Sequence, residues 1–306
     1  MRIGLIGLGD IAQKAYLPIL TEFPSVEAVF CTRSRQVLSE LAKKYRVNDF
    51  CCDYKQLLNM GVDAVMIHSA TSTHVDIASY FLKNSIPVFV DKPLSTDFGD
   101  CERLHDLAES VRQPLFVGFN RRYLPILKEP LLQESKESPL LYFRWEKNRH
   151  NLPGAPRTFV FDDLIHPLDS VNQSAGVKPE DLLISEQMSN FGLNRLDIQW
   201  QAGSTLIQAS MNRLNGITNE RITLCYENQS YLFDSFHTGV LQKASREQLV
   251  RLPDWTPMLA SKGFNAMIEH WLEVVSKGKL AEDIIARNLR THLLAETICQ
   301  QVEKQI

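Results

Sequence analysis

Short apolar runs alternate with amphipathic stretches along the first 119 residues. The runs lack polar alternation, which is typical of strands buried on both faces of a parallel sheet. They are Arg2–Ile6, Val26–Cys31, Ala64–His68, Val88–Val90 and Leu115–Val117. Apolar residues spaced three and four apart between the runs predict helices with one buried stripe. These helices are Ala12–Glu22, Gln36–Tyr45, Tyr54–Asn59, Val75–Lys83 and Phe98–Ser110. This alternation of strands and helices predicts an α/β domain with a doubly wound parallel sheet over residues 1–119.

The pattern changes in residues 120–306, where apolar and polar positions alternate in short runs separated by turn residues. These runs predict strands at Leu140–Trp145, Leu182–Met188, Arg195–Trp200, Thr205–Met211, Glu220–Tyr226 and Gln229–Phe233. Helical spacing occurs near Pro125–Ser135, from about Asp162 to Ser174, at Phe264–Ser276 and at Ala281–Gln305. Gly278 is the expected helix stop between the last two. We therefore predict a second, α+β domain with a mostly antiparallel, open sheet.

Composition narrows the function classes. A net charge of -3 without a Lys/Arg block argues against nucleic-acid binding as the main task. No run approaches the length of a membrane span. The six cysteines lack the paired spacing of zinc or redox sites, so we expect reduced thiols in a cytoplasmic protein that acts on a small molecule. No bound metal is expected.

A dinucleotide-binding turn follows the first strand. Gly7-Leu-Gly9-Asp10-Ile11-Ala12 matches G-x-G-x-x-A between a strand and an amphipathic helix. Gly7 permits the tight turn, Gly9 lets the backbone approach a pyrophosphate, and Ala12 allows close packing of the helix. The alternative is a glycine turn that binds no ligand. The context favours a Rossmann domain.

The end of the second strand favours NADP over NAD. NAD-selective sites place a carboxylate there for the ribose hydroxyls, whereas this chain has Thr32-Arg33-Ser34. A hydroxyl can donate to a 2′-phosphate, and Arg33 supplies charge and a plane that stacks on adenine. The alternative is that Arg33 only solubilises a loop. We predict NADP as the preferred cofactor, with NAD possible.

Two further strand ends carry candidate side chains. The residues after the third predicted strand include Ala70, Thr71 and His74, which we expect to line the cofactor; as a lone histidine, His74 fits a structural role better than a catalytic one. Asp91-Lys92-Pro93 follows the fourth predicted strand, where open α/β sheets bind ligands. Partial burial would make Lys92 a useful acid or base, and the alternative is a solvated lysine in an ordinary turn.

Several segments together resemble the Gfo/Idh/MocA oxidoreductase family, and the resemblance covers nearly the whole chain. The segments that carry it are Gly7–Ala12, Ala70–Ala78, Val88–Pro93, Gly118–Tyr123 and Asp162 with His166. Phe161–His166 and Lys147–Arg149 look most similar to the MviM-type members. The resemblance implies Lys92, Asp162 and His166 as catalytic residues, and a cofactor site that includes Asp91, Asn120 and Arg121.

The sequence departs from the family pattern at two places. Asp91 stands where the family usually has glutamate, which shortens that side chain by one methylene. Thr158–Phe161 and Leu164 replace glycines of the family, so the pocket entrance is expected to be bulkier. Neither change removes a proton-handling group.

These observations favour hydride transfer between nicotinamide and a secondary alcohol or carbonyl of a sugar, polyol or related compound. Two other functions stay open: a non-catalytic NADP-binding sensor, and a reductase of a planar C=C or C=N acceptor. Lys147 and Arg149 are candidate substrate ligands, against the alternative of a solvated charged loop. Arg121 and Arg122 could equally form a structural salt bridge.

We also expect a homodimer or homotetramer. An open sheet face that exposes Ile198, Trp200, Leu206 and Ile207 would be the contact surface.

Overall fold

The computed structural model describes residues 1–132, 139–173 and 176–304. The chain forms two compact units, the first from Met1–Phe119 and Phe264–Ile285 and the second from Asn120–Gly263 and Ala286–Ile306. The predicted domain boundary after residue 119 stays a prediction. No helix among the described residues is long and apolar enough to cross a membrane.

A six-stranded parallel sheet forms the centre of the first unit, with strand order β3-β2-β1-β4-β5-β6. Its strands are β1 (Arg2–Ile6), β2 (Glu27–Cys31), β3 (Phe50–Cys51), β4 (Ala64–Ile67), β5 (Val88–Asp91) and β6 (Leu115–Gly118). The predicted parallel α/β sheet is confirmed. Only β3 was not predicted, because two residues are too short to leave a periodic signal.

The helices of the first unit follow the predicted positions. They are α1 (Leu17–Leu20), α2 (Arg35–Tyr45), α3 (Gln56–Asn59), α4 (His74–Lys83) and α5 (Phe98–Ser110). A π-helical turn at Ala12–Tyr16 precedes α1. The first predicted helix therefore consists of a π-helical turn followed by an α-helical turn. The Ser34 hydroxyl caps α2 by accepting from the backbone N–H of Val37. A later helix, α10 (Phe264–Lys277), also belongs to this unit, where Trp271 packs on the rings of Phe89 and Phe116.

An eight-stranded sheet forms the second unit, in the order β14-β13-β12-β11-β7-β10-β9-β8. Its strands are β7 (Tyr142–Asn148), β8 (Leu183–Ser189), β9 (Gly192–Ala202), β10 (Thr205–Asn212), β11 (Asn219–Tyr226), β12 (Gln229–Phe233), β13 (Thr238–Lys243) and β14 (Arg246–Arg251). Only the β7–β10 pair is parallel, which confirms the mostly antiparallel prediction. The last two strands, β13 and β14, were not predicted, because most of their residues are polar and show no alternation of apolar and polar positions.

Four of the remaining helices lie in the second unit, and the last one begins in the first unit and continues into the second. They are α6 (Pro125–Leu132), α7 (Pro156–Phe159), α8 (Ile165–Val171), α9 (Met258–Ser261) and α11 (Glu282–Glu303). A π-helical turn at Val160–Leu164 joins α7 to α8. The predicted helix ends at Ser135, Ser174 and Gln305 lie outside the described residues. Gly278 has a φ of 66° after α10, as expected for a helix stop.

The prediction that the second sheet exposes an apolar contact face is wrong. Ile198, Trp200 and Ile207 are buried, and Leu206 is half-buried. Helices α7 and α8 pack against β7, β9 and β10, and strand alternation directs Ile198 and Trp200 towards that covered face. The opposite face carries Arg195 and Asp197 instead.

The six cysteines are all free thiols, as predicted.

Candidate functional site

The glycine turn after β1 has the geometry of a dinucleotide cradle. Gly7 has a φ of 86°, and an added Cβ would lie 2.5 Å from the backbone nitrogen of Ser69, so only glycine fits. At Gly9 an added Cβ would meet nothing within 4 Å. Space therefore remains above this backbone at the start of a helix, where N–H groups attract an anion. The residues present fit the pyrophosphate of a dinucleotide.

The neighbours of this turn in sequence occupy defined positions. Asp10 is exposed and ion-paired to Lys14 at 2.7 Å, Ile11 is exposed, and Ala12 is buried against the core. Ala12 thus allows the close packing that the motif requires. The cofactor contacts of these residues stay predictions.

The loop after β2 leaves Arg33 exposed and Thr32 half-buried. The Ser34 oxygen accepts from Val37, which leaves its hydroxyl hydrogen free to donate elsewhere. The loop thus presents the donors that a phosphate oxygen requires.

The His74 side chain hydrogen-bonds to two loops of the first unit. Its Nδ1 lies 2.9 Å from the carbonyl oxygen of Pro93, and its Nε2 lies 3.0 Å from that of Ser69. Ala70 and Thr71 lie between Ser69 and α4, in a loop that the Ser69 and Thr73 hydroxyls close at 2.7 Å. His74 therefore positions the loop after β4 against the turn that carries Lys92.

Asp91 and Lys92 end β5 beside a tyrosine. The Tyr16 hydroxyl donates to Asp91 Oδ1 at 3.0 Å, and the backbone N–H of Lys92 donates to the same oxygen at 2.9 Å. Burial raises the pKa of Asp91, while the charge of Lys92 opposes the shift. Lys92 is half-buried and is joined to Pro93 by a cis peptide bond.

Tyr16 and His68 are site residues that sequence reasoning missed. The His68 ring stacks on Tyr16 at 3.9 Å between centroids, and burial lowers the pKa of His68 to about 3. The imidazole is therefore neutral at neutral pH. Tyr16 lies four residues after Ala12 on the buried side of the helix, which was the available signal. Its partner Asp91 is 75 residues away.

Asp162 and His166 lie in the helical segment that α7, the π turn and α8 form in the second unit. Asp162 is exposed, whereas His166 is buried. The neighbouring Asp163 is also buried, and its carboxylate contacts several basic side chains.

Three cations surround Asp163. Arg149 donates to both of its oxygens, Arg213 lies 2.7 Å away and Lys147 lies 3.1 Å away. Burial alone would raise the pKa of Asp163, but Lys147, Arg149 and Arg213 outweigh it and hold the pKa below its ordinary value. Asp163 is therefore a carboxylate at neutral pH.

The Lys147 region is not the solvated loop that was the alternative expectation. Lys147 belongs to β7 and its side chain is 5% exposed. Arg149 follows the strand and is 35% exposed. Strand pairing on both sides of β7 and the ion pairs with Asp163 explain the burial.

Two arginines after β6 have structural partners within the second unit. Arg121 donates to Glu220 at 2.7 Å and to the side-chain oxygen of Asn120 at 3.1 Å. Arg122 donates to both oxygens of Asp169, which is fully buried. Both arginines thus form salt bridges. A cofactor contact of Asn120 or Arg121 stays a prediction.

Among residues 1–132, 139–173 and 176–304, no group of three or more His, Cys, Asp or Glu side chains could hold a metal ion.

Comparisons with known proteins agree with this architecture. Residues 1–119 match the family model described as "Oxidoreductase family, NAD-binding Rossmann fold". The crystal structure of a Gfo/Idh/MocA family oxidoreductase from Vibrio cholerae is 54% identical, with a TM-score of 0.96 over 100% of this chain and 99% of that one. A dehydrogenase (MviM) from Clostridium difficile is 25% identical, with a TM-score of 0.87 over 100% and 99%.

One curated relative has a named enzymatic activity. The myo-inositol 2-dehydrogenase of Thermotoga maritima is 26% identical over 230 residues, which cover 74% of this chain and 65% of the relative. With the dinucleotide cradle and the match along the full Vibrio cholerae structure, these similarities show that the chain belongs to the Gfo/Idh/MocA family of oxidoreductases.

Proposed function

We propose that the protein transfers a hydride reversibly between a nicotinamide dinucleotide and a secondary alcohol or carbonyl carbon of a sugar, polyol or related molecule. One observation carries the proposal. The glycine turn, the Ser69 loop and the Asp91-Lys92 turn follow β1, β4 and β5, which are neighbours in one parallel sheet. The carboxyl ends of parallel strands share an edge, so a dinucleotide and a proton-handling lysine meet there.

The bound cofactor supplies the hydride chemistry at its nicotinamide ring. Lys92 would exchange the substrate hydroxyl proton, and His166 is the second candidate for this role. Asp162 would orient the substrate or hold the tautomer of His166. The Tyr16 hydroxyl and the Lys92 backbone N–H both donate to Asp91 and so hold its carboxyl beside Lys92.

The decisive experiment combines a turnover panel with a binding titration. NADP reduction over sugars and polyols is followed spectrophotometrically, and NADPH binding is measured by fluorescence. We expect Lys92→Ala to reduce turnover by orders of magnitude and to leave NADPH affinity nearly unchanged. Near-normal turnover of this variant would remove Lys92 from the role.

The panel also separates the two other functions. Tight NADPH binding with no turnover would favour a sensor. NADPH oxidation by planar C=C or C=N acceptors alone would favour the other reductase class.

NADP preference is the second part of the proposal. Exposed Arg33, with Thr32 and Ser34 beside it, supplies charge and donors for a 2′-phosphate. Replacing Arg33 by Asp should lower affinity for NADPH and leave affinity for NADH equal or higher. An unchanged ratio of the two affinities would contradict the preference.

A homodimer or larger oligomer is the third part. The face of the second sheet opposite α7 and α8 carries a row of Arg221, Glu146, Asp197 and Ser185 in strand register, with the buried Ser210 between Glu146 and Asp197. Opposite charges in one row suit a self-complementary contact between two copies. Light scattering at micromolar concentration should show at least a dimer, and a monomer alone would reject this part.

A further inference from the structure

A cavity of about 410 Å³ in the second unit lies over the ends of β7 and β11. Arg121, Lys147, Arg149 and Lys262 contribute cations to its wall, and Glu220 and Asp234 contribute the carboxylates among its lining residues. The lining therefore has a net charge of 2+. Most members of this wall lie in or next to paired strands, so the charges are held in place before any ligand arrives.

Glu220, one of the two carboxylates in the wall, is engaged by protein donors. Glu220 accepts from Arg121 at 2.7 Å through one oxygen and from the indole N–H of Trp145 at 2.9 Å through the other. Asp163, behind the wall, accepts from Arg149 and Arg213 and pairs with Lys147. Adding Asp163 and Arg213 to the count leaves the excess of two positive charges unchanged.

The positive charges are costly to keep in the protein interior. The side chains of Lys147 and Arg213 are 5% and 4% exposed, and that of Arg121 is 13% exposed. Buried charge that lacks an equal number of counterions is unfavourable, and an oxyanion in the cavity would restore the balance. The polar side chains of Thr218, Ser235 and Asn219 line the same space and can engage hydroxyls.

We propose that this cavity binds an anionic group of the substrate, so that the substrate is a polyhydroxy compound bearing a carboxylate or a phosphate rather than a neutral polyol. Arg149 is the specificity-determining residue, since it lines the cavity, is partly exposed and carries a planar guanidinium that can donate to an oxyanion. This inference names the substrate class of the proposed oxidoreductase function and rests on that function, but its binding test does not need turnover.

The test compares matched probes on the full chain, with and without saturating NADPH. Binding of glucose, glucuronate and glucose 6-phosphate is measured by calorimetry, with inorganic phosphate and acetate as simple anions. We expect one charged sugar to bind at least about tenfold more tightly than glucose, as a charge-assisted hydrogen bond would give. Higher salt should reduce that preference. The stronger of the two charged sugars identifies a carboxylate or a phosphate as the anion.

Arg149→Gln should reduce the preference for the charged sugar by about tenfold and leave NADPH binding unchanged. The matched control is Arg195→Gln, because Arg195 is also paired to one carboxylate, Asp197, and is similarly exposed at 37%, but on the opposite face of the sheet. The control should keep the preference. Circular dichroism and NADPH affinity show that both variants fold.

Three results would overturn the inference: equal binding of charged and neutral sugars, no binding of either charged sugar at millimolar concentration, or a preference that survives Arg149→Gln. If inorganic phosphate and acetate bind as tightly as the charged sugars, the cavity is a simple anion site, and the substrate assignment is rejected as well. Anion-selective sugar binding without turnover of any probe would instead leave the cavity assignment standing and count against the oxidoreductase proposal.

Discussion

The glycine turn of the first unit and the charged cluster around Asp163 in the second unit are built on opposite principles. The turn is made of backbone, and it functions because Gly7 and Gly9 have no side chains. The cluster is made of side chains, in which buried cations converge on one carboxylate. The turn is therefore sensitive to added volume, whereas the cluster is sensitive to a change of charge.

The difference also appears in how each region depends on the rest of its unit. The turn lies against backbone atoms of His68 and Ser69 and donates a backbone hydrogen bond to Cys31. The cluster draws Lys147 from β7, Arg149 from the segment after it and Arg213 from the end of β10. A single substitution in the cluster should thus cost more stability than one in the turn.

The largest effect is expected for Asp163→Asn. The variant removes the carboxylate that compensates Lys147, Arg149 and Arg213, and breaking a buried ion pair on one side costs about 3–5 kcal/mol. The free energy of unfolding, measured by urea denaturation, should fall by that amount. Asp162→Asn is the adjacent control, because Asp162 is exposed and its loss should cost less than about 1 kcal/mol. Equal losses for the two variants would contradict the role of the cluster.

The cluster was also the part of the site that sequence reasoning located least well. The family motif points to Asp162 and His166 and does not identify the neighbouring Asp163. Its partners lie in or directly after β7 and β10, 14 to 50 residues away in sequence, and strand register over such distances leaves no local signal. Lys147 and Arg149 were named, but their burial depends on pairing that periodicity alone does not reveal.

The first unit was predictable because its determinants are local. The β1 strand, the glycine turn and the following helix are contiguous, so pattern and motif coincide within twenty residues. The Tyr16 contact with Asp91 joins positions 75 residues apart, and it was missed for the same reason as the Asp163 contacts. The apolar pattern of β9 and β10 identified the strands correctly but not which face the helices cover.

The next largest effect separates two glycines of the turn. Gly7→Ala places a Cβ 2.5 Å from the Ser69 nitrogen at a φ of 86°, so it should lower the free energy of unfolding by about 1–3 kcal/mol. Gly9→Ala meets no protein atom within 4 Å and should leave stability within about 0.5 kcal/mol.

The same pair distinguishes folding from cofactor binding. The Cβ of Gly9→Ala would occupy space that the pyrophosphate requires, so NADPH affinity should fall at least about tenfold in a protein that remains folded. Fluorescence titration beside urea denaturation gives both quantities. A Gly9→Ala protein with unchanged NADPH affinity would show that the cofactor backbone does not approach this position.

The smallest effect tests whether the first unit also depends on a side-chain bond. Tyr16→Phe removes the hydroxyl that donates to Asp91 Oδ1, which should cost about 1 kcal/mol of unfolding free energy. With one donor lost, the pKa of the buried Asp91 carboxyl should rise further, because hydrogen bonds to the charged form lower it. Because burial already keeps the folded-state pKa of Asp91 above its ordinary value, the stability from this bond to the carboxylate should be present above that raised pKa and disappear as the pH falls through it.

A double-mutant cycle with Asp91→Asn isolates this bond from the packing of the Tyr16 ring, which stacks on His68 in each member. A coupling energy of about 0.5–1.5 kcal/mol at neutral pH, which shrinks in acid, would show that a charged hydrogen bond positions Asp91. A coupling near zero at every pH would mean that Tyr16 acts through packing alone. In that case the first unit would rely on backbone and shape throughout, and its contrast with the Asp163 cluster would be complete.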